Sequence, residues 1–126
     1  MKEKFEDFCR AIARLDEALK SEPTELNCDA SIQRFEFTYE LAWKTLKKFL
    51  DQKGIKALNP LDCIKGAFQQ GWIHEAGEQL WLDMIKDRNT TTHIYSEELA
   101  KKTYDKIKHH YLKEFNLLKA ELEKLL

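Results

Sequence analysis

Apolar residues recur along this chain at steps of three and four, the spacing that lines up one face of an α-helix. Phe5, Phe8, Cys9, Ile12, Leu15 and Leu19 mark a first helix over roughly Lys2 to Ser21, with charges on its other face. Pro23 and Asn27 are expected to end it. A second, longer helix is predicted from about Asp29 or Ser31. Its stripe is Ile32, Phe35, Tyr39, Ala42, Trp43, Leu46, Phe49 and Leu50, and Gly54 is a natural stop. Asn59-Pro60 signals a new start: a capping side chain, then a proline whose missing amide hydrogen is not needed. A short helix follows with Leu61, Ile64 and Phe68, closed by Gly71. From about Glu75 the next helix carries Leu80, Trp81, Met84 and Ile85. Three successive β-branched residues, Thr90, Thr91 and Thr92, should weaken its end. Ser96 caps a last long helix, with Glu97 and Glu98 in its favourable first turn. Its stripe is Ala100, Tyr104, Ile107, Tyr111, Phe115, Leu118, Leu122 and Leu125, a bundle-like seam.

No segment alternates apolar and polar residues with the period of a strand. The expectation is an all-α fold: an antiparallel up-and-down bundle of four main helices plus a short one, forming one domain over residues 1–126. The end of the last stripe, Phe115 to Leu125, is expected to outrun the core of one subunit. With Trp43, Trp72 and Trp81 it suggests a surface for a partner or a second copy, against the competing reading of ordinary core packing.

Composition narrows the function. Hydrophobic residues are 43% and charged residues 34%, a folded profile, and the net charge is −1. That charge excludes a wide basic footprint for nucleic acid, so any polyanion must be held by a local site. Cys9, Cys28 and Cys63 are odd in number and form no C-x-x-C pair, which fits free thiols packed as small hydrophobes in a reducing compartment. The N-terminal residues mix charge signs and lead into no long apolar run. Neither a signal peptide nor a membrane span is expected, and a cytoplasmic location follows.

Chemistry concentrates near Arg88, which shares a helical stripe with Trp81, Met84 and Ile85. A guanidinium on an apolar stripe must find an anion. Glu36 and Glu40, close to the stripe of the second helix, are the nearest candidates, and an internal ion pair is the bland reading. His93 lies five residues on, which in an unbroken helix turns its side chain away from Arg88 by roughly 140°. The two converge only if the helix ends between them or if two subunits meet there.

Arg88-Asn89, then His93, then Tyr95 resembles the HEPN superfamily signature: an arginine, four to six residues, then a histidine, with a polar residue after the arginine. The tyrosine two after the histidine, and the aromatic-rich stretch Phe35-Glu36-Phe37-Thr38-Tyr39-Glu40-Leu41-Ala42-Trp43-Lys44, resemble its HepT branch, which includes nucleotidyltransferase substrate-binding proteins. The resemblance implies a homodimer in which two copies of the motif meet. It implies a metal-independent ribonuclease toxin, paired with a minimal nucleotidyltransferase antitoxin that attaches AMP to the motif tyrosine. Some relatives instead serve only as non-catalytic, substrate-binding partners of such a transferase, and that alternative stands beside the enzyme. The residues suit the chemistry. RNA brings its own nucleophile, the 2′-hydroxyl. His93 can move its proton. Arg88 can hold charge building on phosphate oxygens, with Asn89 orienting either group. Tyr95 is the candidate nucleotide acceptor, with a core phenol as the plain alternative. No cofactor is called for.

Other candidates are weaker. His74-Glu75 begins like a zinc-protease motif without its second histidine, so no metal site is expected. Adjacent His109 and His110 point about 100° apart on a helix. Lys102, Lys106, His109 and Lys113 form a basic stripe opposite the apolar seam: a solvated face, or a landing site for RNA or the partner protein. No glycine-rich phosphate loop is present.

Overall fold

A computed structural model of the chain describes residues 1–91 and 96–126. Among them the secondary structure is helical: α1 (Lys2–Lys20), α2 (Glu25–Gln52), α3 (Pro60–Gln69), a single 3-10 turn (Glu75–Gly77), α4 (Glu78–Thr91), α5 (Glu97–Lys106), a π-helical turn (Ile107–Tyr111) and α6 (Leu112–Glu123). The all-α bundle expected from the stripes is the fold observed.

α2 begins earlier than the stripe indicates. Thr24 is its cap, its hydroxyl accepting from the Asn27 amide at 3.1 Å. Asn27, expected to break the chain, instead lies inside α2 and donates its side-chain amide back to the Glu22 carbonyl at 2.7 Å. Asn59 caps α3 as expected, accepting from the Asp62 amide at 2.9 Å. Ser96 caps α5, accepting from the Leu99 amide at 3.3 Å. Gly54 and Gly71 end α2 and α3 with φ of 75° and 80°, a region that costs a residue bearing Cβ more than glycine.

Helices α1 and α2 run antiparallel, and polar side chains fix their register. Arg34 Nη1 donates to the Arg14 carbonyl at 2.7 Å, Thr38 Oγ1 to Ala11 at 3.3 Å, and Thr45 Oγ1 to Lys4 at 3.2 Å. As the residue number rises on one helix it falls on the other. Because the Thr38 and Thr45 hydroxyls find acceptors, their burial costs little. The centre of the core is aromatic. Trp81 and Phe8 meet Phe115 edge-on at 5.6 and 6.1 Å between centroids, and Phe35 stacks on Tyr111 at 5.3 Å.

The last stripe does not outrun the core. Phe115, Leu118 and Leu122 are fully buried within one chain, because α1 lies against α6, and only Leu125 is exposed. Trp72 and Trp81 are buried too; Trp43 alone of the three tryptophans is half-buried. The exposed apolar side chains lie elsewhere and are scattered, among them Leu26, Leu58 and the aromatic Phe37, 68% exposed. The π turn widens the last helix at Ile107–Tyr111 while keeping both end residues buried. Such turns commonly sit at functional sites.

Candidate functional site

α4 is anchored by Trp81 and Met84, both buried, so the next residue on that stripe, Arg88, is carried to the rim of the core. α2 packs across this rim. Glu36 and Glu40 are one turn apart on α2 and therefore neighbours on its surface. Arg88 Nη1 lies 3.6 Å from Glu36 Oε2, and its Nε lies 3.8 Å from Glu40 Oε1. The Arg88 side chain is 25% exposed, so the guanidinium is gripped but still meets solvent. Glu40 is itself fixed: Trp43 Nε1 donates to it at 3.1 Å and Lys44 Nζ lies within 3.8 Å. That bond accounts for the half-exposed indole, whose polar edge has a partner at the rim.

On the other side of Arg88, Asp87 accepts a short hydrogen bond from the Tyr111 hydroxyl, and Lys106 Nζ lies 3.4 Å away. This ties α4 to the π turn. Burial, the hydrogen bond to Asp87 and the charge of Asp87 together push the Tyr111 phenol well above its ordinary range. Buried Tyr39 is also raised, first by burial and then by the charge of Glu40, with Arg88 opposing. Both phenols therefore stay protonated well past the pH at which a free phenol ionises. Sequence reasoning missed Asp87 and Tyr111. The available signal was a tyrosine inside an apolar seam, because a buried hydroxyl needs a partner.

Asn89 is exposed and follows Arg88 on α4. His93 and Tyr95, the proposed base and nucleotide acceptor, lie outside the described residues, as does the question of whether they meet Arg88. The basic stripe of α5 and α6 is partly spoken for. Lys106 serves Asp87, and Lys102 lies 3.7 Å from Glu98; Lys113 is exposed. His74 is paired with a carboxylate: its Nε2 lies 3.1 Å from both oxygens of Glu114, which is 3% exposed. Among the described residues no group of three or more His, Cys, Asp or Glu is placed to hold a metal ion, and no helix is long and apolar enough to cross a membrane.

Residues 3–124 match the family described as nucleotidyltransferase substrate binding protein like. The chain belongs to that family. A similar curated protein is the probable ribonuclease HepT of Haemophilus influenzae, 34% identical over 82 residues, which are 61% of this chain and 55% of the relative. The chain therefore spans about half the length of that relative. Among solved structures, a crystal structure of a Thermus thermophilus protein superposes with a TM-score of 0.80 at 31% identity, covering 94% of this chain and 98% of that one.

Proposed function

We propose that this chain is a metal-independent endoribonuclease of the HEPN superfamily, working as a homodimer in the cytoplasm and paired with a minimal nucleotidyltransferase in a toxin–antitoxin system. The observation that carries the reading is the grip of Glu36 and Glu40 on Arg88, five residues before His93. A guanidinium set by two carboxylates has its planar fork oriented in advance, which is what stabilising a phosphorane-like transition state requires. His93 takes the proton of the RNA 2′-hydroxyl; that oxygen attacks phosphorus as the bond to the 5′-oxygen breaks, and the departing oxygen takes up a proton. Arg88 holds the charge on the non-bridging oxygens, and Asn89 orients it. The probable-ribonuclease name of the Haemophilus relative supports this activity.

Purified protein incubated with RNA in the presence of a chelator tests the reading. Cutting that disappears in Arg88→Ala and in His93→Ala supports it; intact RNA with the unaltered protein overturns it. In the same system the Tyr95 hydroxyl oxygen attacks the α-phosphorus of ATP held by the transferase, gaining the adenylyl group as pyrophosphate leaves and the phenol proton passes to a base. Incubation with the transferase and ATP gives a mass gain of one adenylyl group, absent in Tyr95→Phe.

A second reading rests on the family description and on the net charge of −1. In it the chain is a non-catalytic partner that presents substrate or nucleotide to the transferase. Intact RNA together with a stable transferase complex favours it.

A further inference from the structure

Three of the chain's four arginines stand around one groove between α1 and α2. Arg10 and Arg14 lie one turn apart on α1, and Arg34 faces them from α2, held by its bond to the Arg14 carbonyl. The groove, about 520 Å³, continues past Phe37 to Leu41, and its one carboxylate, Asp7, pairs with Arg10. Its ionised groups are three positive and one negative, on a chain whose total charge is −1. A second cavity, between α2 and α5, has the opposite character, with Glu25, Asp29, Glu97 and Asp105 outnumbering Lys101 and Lys108.

We infer that this groove binds a single-stranded stretch of RNA, with phosphates on Arg10 and Arg14 and a base stacked on Phe37. The inference rests on the ribonuclease reading above and gives that site a substrate track. Arginine, not lysine, is the residue whose fork matches phosphate, and none of the chain's lysines lines the groove. Phe37 offers an exposed ring, and aromatic faces hold unpaired bases whatever their sequence. A protein partner fits less well: one exposed ring beside a half-buried leucine is far short of the roughly 800 Å² that each side of a stable interface buries. The groove and the Arg88 site share α2. Phe37 and Glu40 are three residues apart on α2, about 4.5 Å along its axis, and Glu40 holds Arg88.

The test is fluorescence anisotropy of a labelled single-stranded oligoribonucleotide, titrated with full-length protein in an Arg88→Ala background so that the probe stays whole. Removing two phosphate contacts with Arg10→Gln and Arg14→Gln should weaken binding and lower the slope of log affinity against log salt by about 1.4. Phe37→Ala should weaken binding by about fivefold or more. The double variant Lys53→Gln and Lys56→Gln, with the same charge change outside the groove, should lower that slope by much less. Melting curves confirm that each variant folds, and exposed Phe37 provides a change with little cost to the core. Unchanged affinity and slope in the arginine variant overturn the inference. So does an absence of RNA binding by the parent protein, or a Phe37→Ala effect confined to the complex with the transferase. RNA that binds but is not cut by the unaltered chain would sink the ribonuclease reading while leaving the groove to be judged by its anisotropy.

Discussion

Replacing Arg88 separates a structural ion pair from a working guanidinium. Arg88→Ala removes both contacts, at 3.6 and 3.8 Å, and leaves Glu36 and Glu40 facing each other across one helical turn. All three side chains are a quarter to a third exposed, so solvent offsets most of the Coulomb attraction and the net loss is about 1–2 kcal/mol. The like-charge pair left behind adds roughly 0.3–0.5 kcal/mol. For a chain of this size the melting temperature should fall by about 3–8 °C. Activity should fall by about 10²–10³-fold, the usual cost of deleting one preorganised charge stabiliser. Arg88→Lys is the discriminating variant. It keeps the charge, so it should recover most of the stability, but a point-like ammonium cannot reproduce the fork, so activity should stay at least about tenfold down. The assay is cleavage of a fluorescent RNA at 25 °C, with thermal melts of the same preparations. Full activity in Arg88→Lys, or losses in Arg88→Ala no larger than its unfolded fraction explains, would refute the reasoning.

Three further outcomes follow from the core and its polar contacts. The Tyr104 hydroxyl is buried with no hydrogen-bond partner among the described residues, so Tyr104→Phe should leave stability unchanged or raise it by about 1 kcal/mol in a denaturant titration; a loss of that size would mean the hydroxyl has a partner. A Cβ on Gly77 would collide with Glu114 Oε1 and lie 2.7 Å from His74 Nε2, so Gly77→Ala should displace that pair and destabilise by about 1–3 kcal/mol, a cost reduced where Glu114 is first replaced by alanine and half-exposed His74 alone must move. Tyr39 and Tyr111 are neutral in the fold beyond the pH at which an unfolded phenol ionises. They therefore bind more protons folded than unfolded above pH ~10, and stability should decline as pH rises past that point; an ultraviolet titration compared with Tyr39→Phe and Tyr111→Phe should show these two phenols ionising late or only on unfolding.

The elements legible from spacing were those whose signals are local. Ser96 and the Asn59-Pro60 pair announce helix starts through their own side chains, and the apolar stripes mark which faces go inward. What spacing could not show was where each stripe finds its cover. Phe115, Leu118 and Leu122 read as surplus because nothing along the last helix reveals that α1 folds back over them. Asn27 read as a breaker because its bond to Glu22 exists only once α2 has turned. At the site, Arg88 stood out because a charge on an apolar stripe is a local contradiction. Asp87 and Tyr111 did not, because each is unremarkable in its own window and gains meaning only across 24 residues of chain.

That long-range pair bears on the proposed role of the rim. Arg88 is one residue past Asp87, and Asp87 is pinned to the π turn by Tyr111 and Lys106. From the opposite side Glu36 and Glu40 pin Arg88 to α2, with Trp43 holding Glu40 in turn. The end of α4 is thus fastened to two different helices just before the threonine run, where backbone propensity alone would let it fray. On the proposed ribonuclease reading, these contacts restrict in advance some of the rotamer freedom that Arg88 would otherwise lose on meeting phosphate. Trp43→Phe tests that chain of support. It keeps an aromatic ring at the rim but removes the N–H that steadies Glu40, together with part of the indole. If preorganisation of Arg88 matters, cleavage should slow through kcat while the melting temperature moves by no more than about 3–5 °C, the share of one hydrogen bond. Unchanged kcat would show that Glu40 keeps its place without the indole.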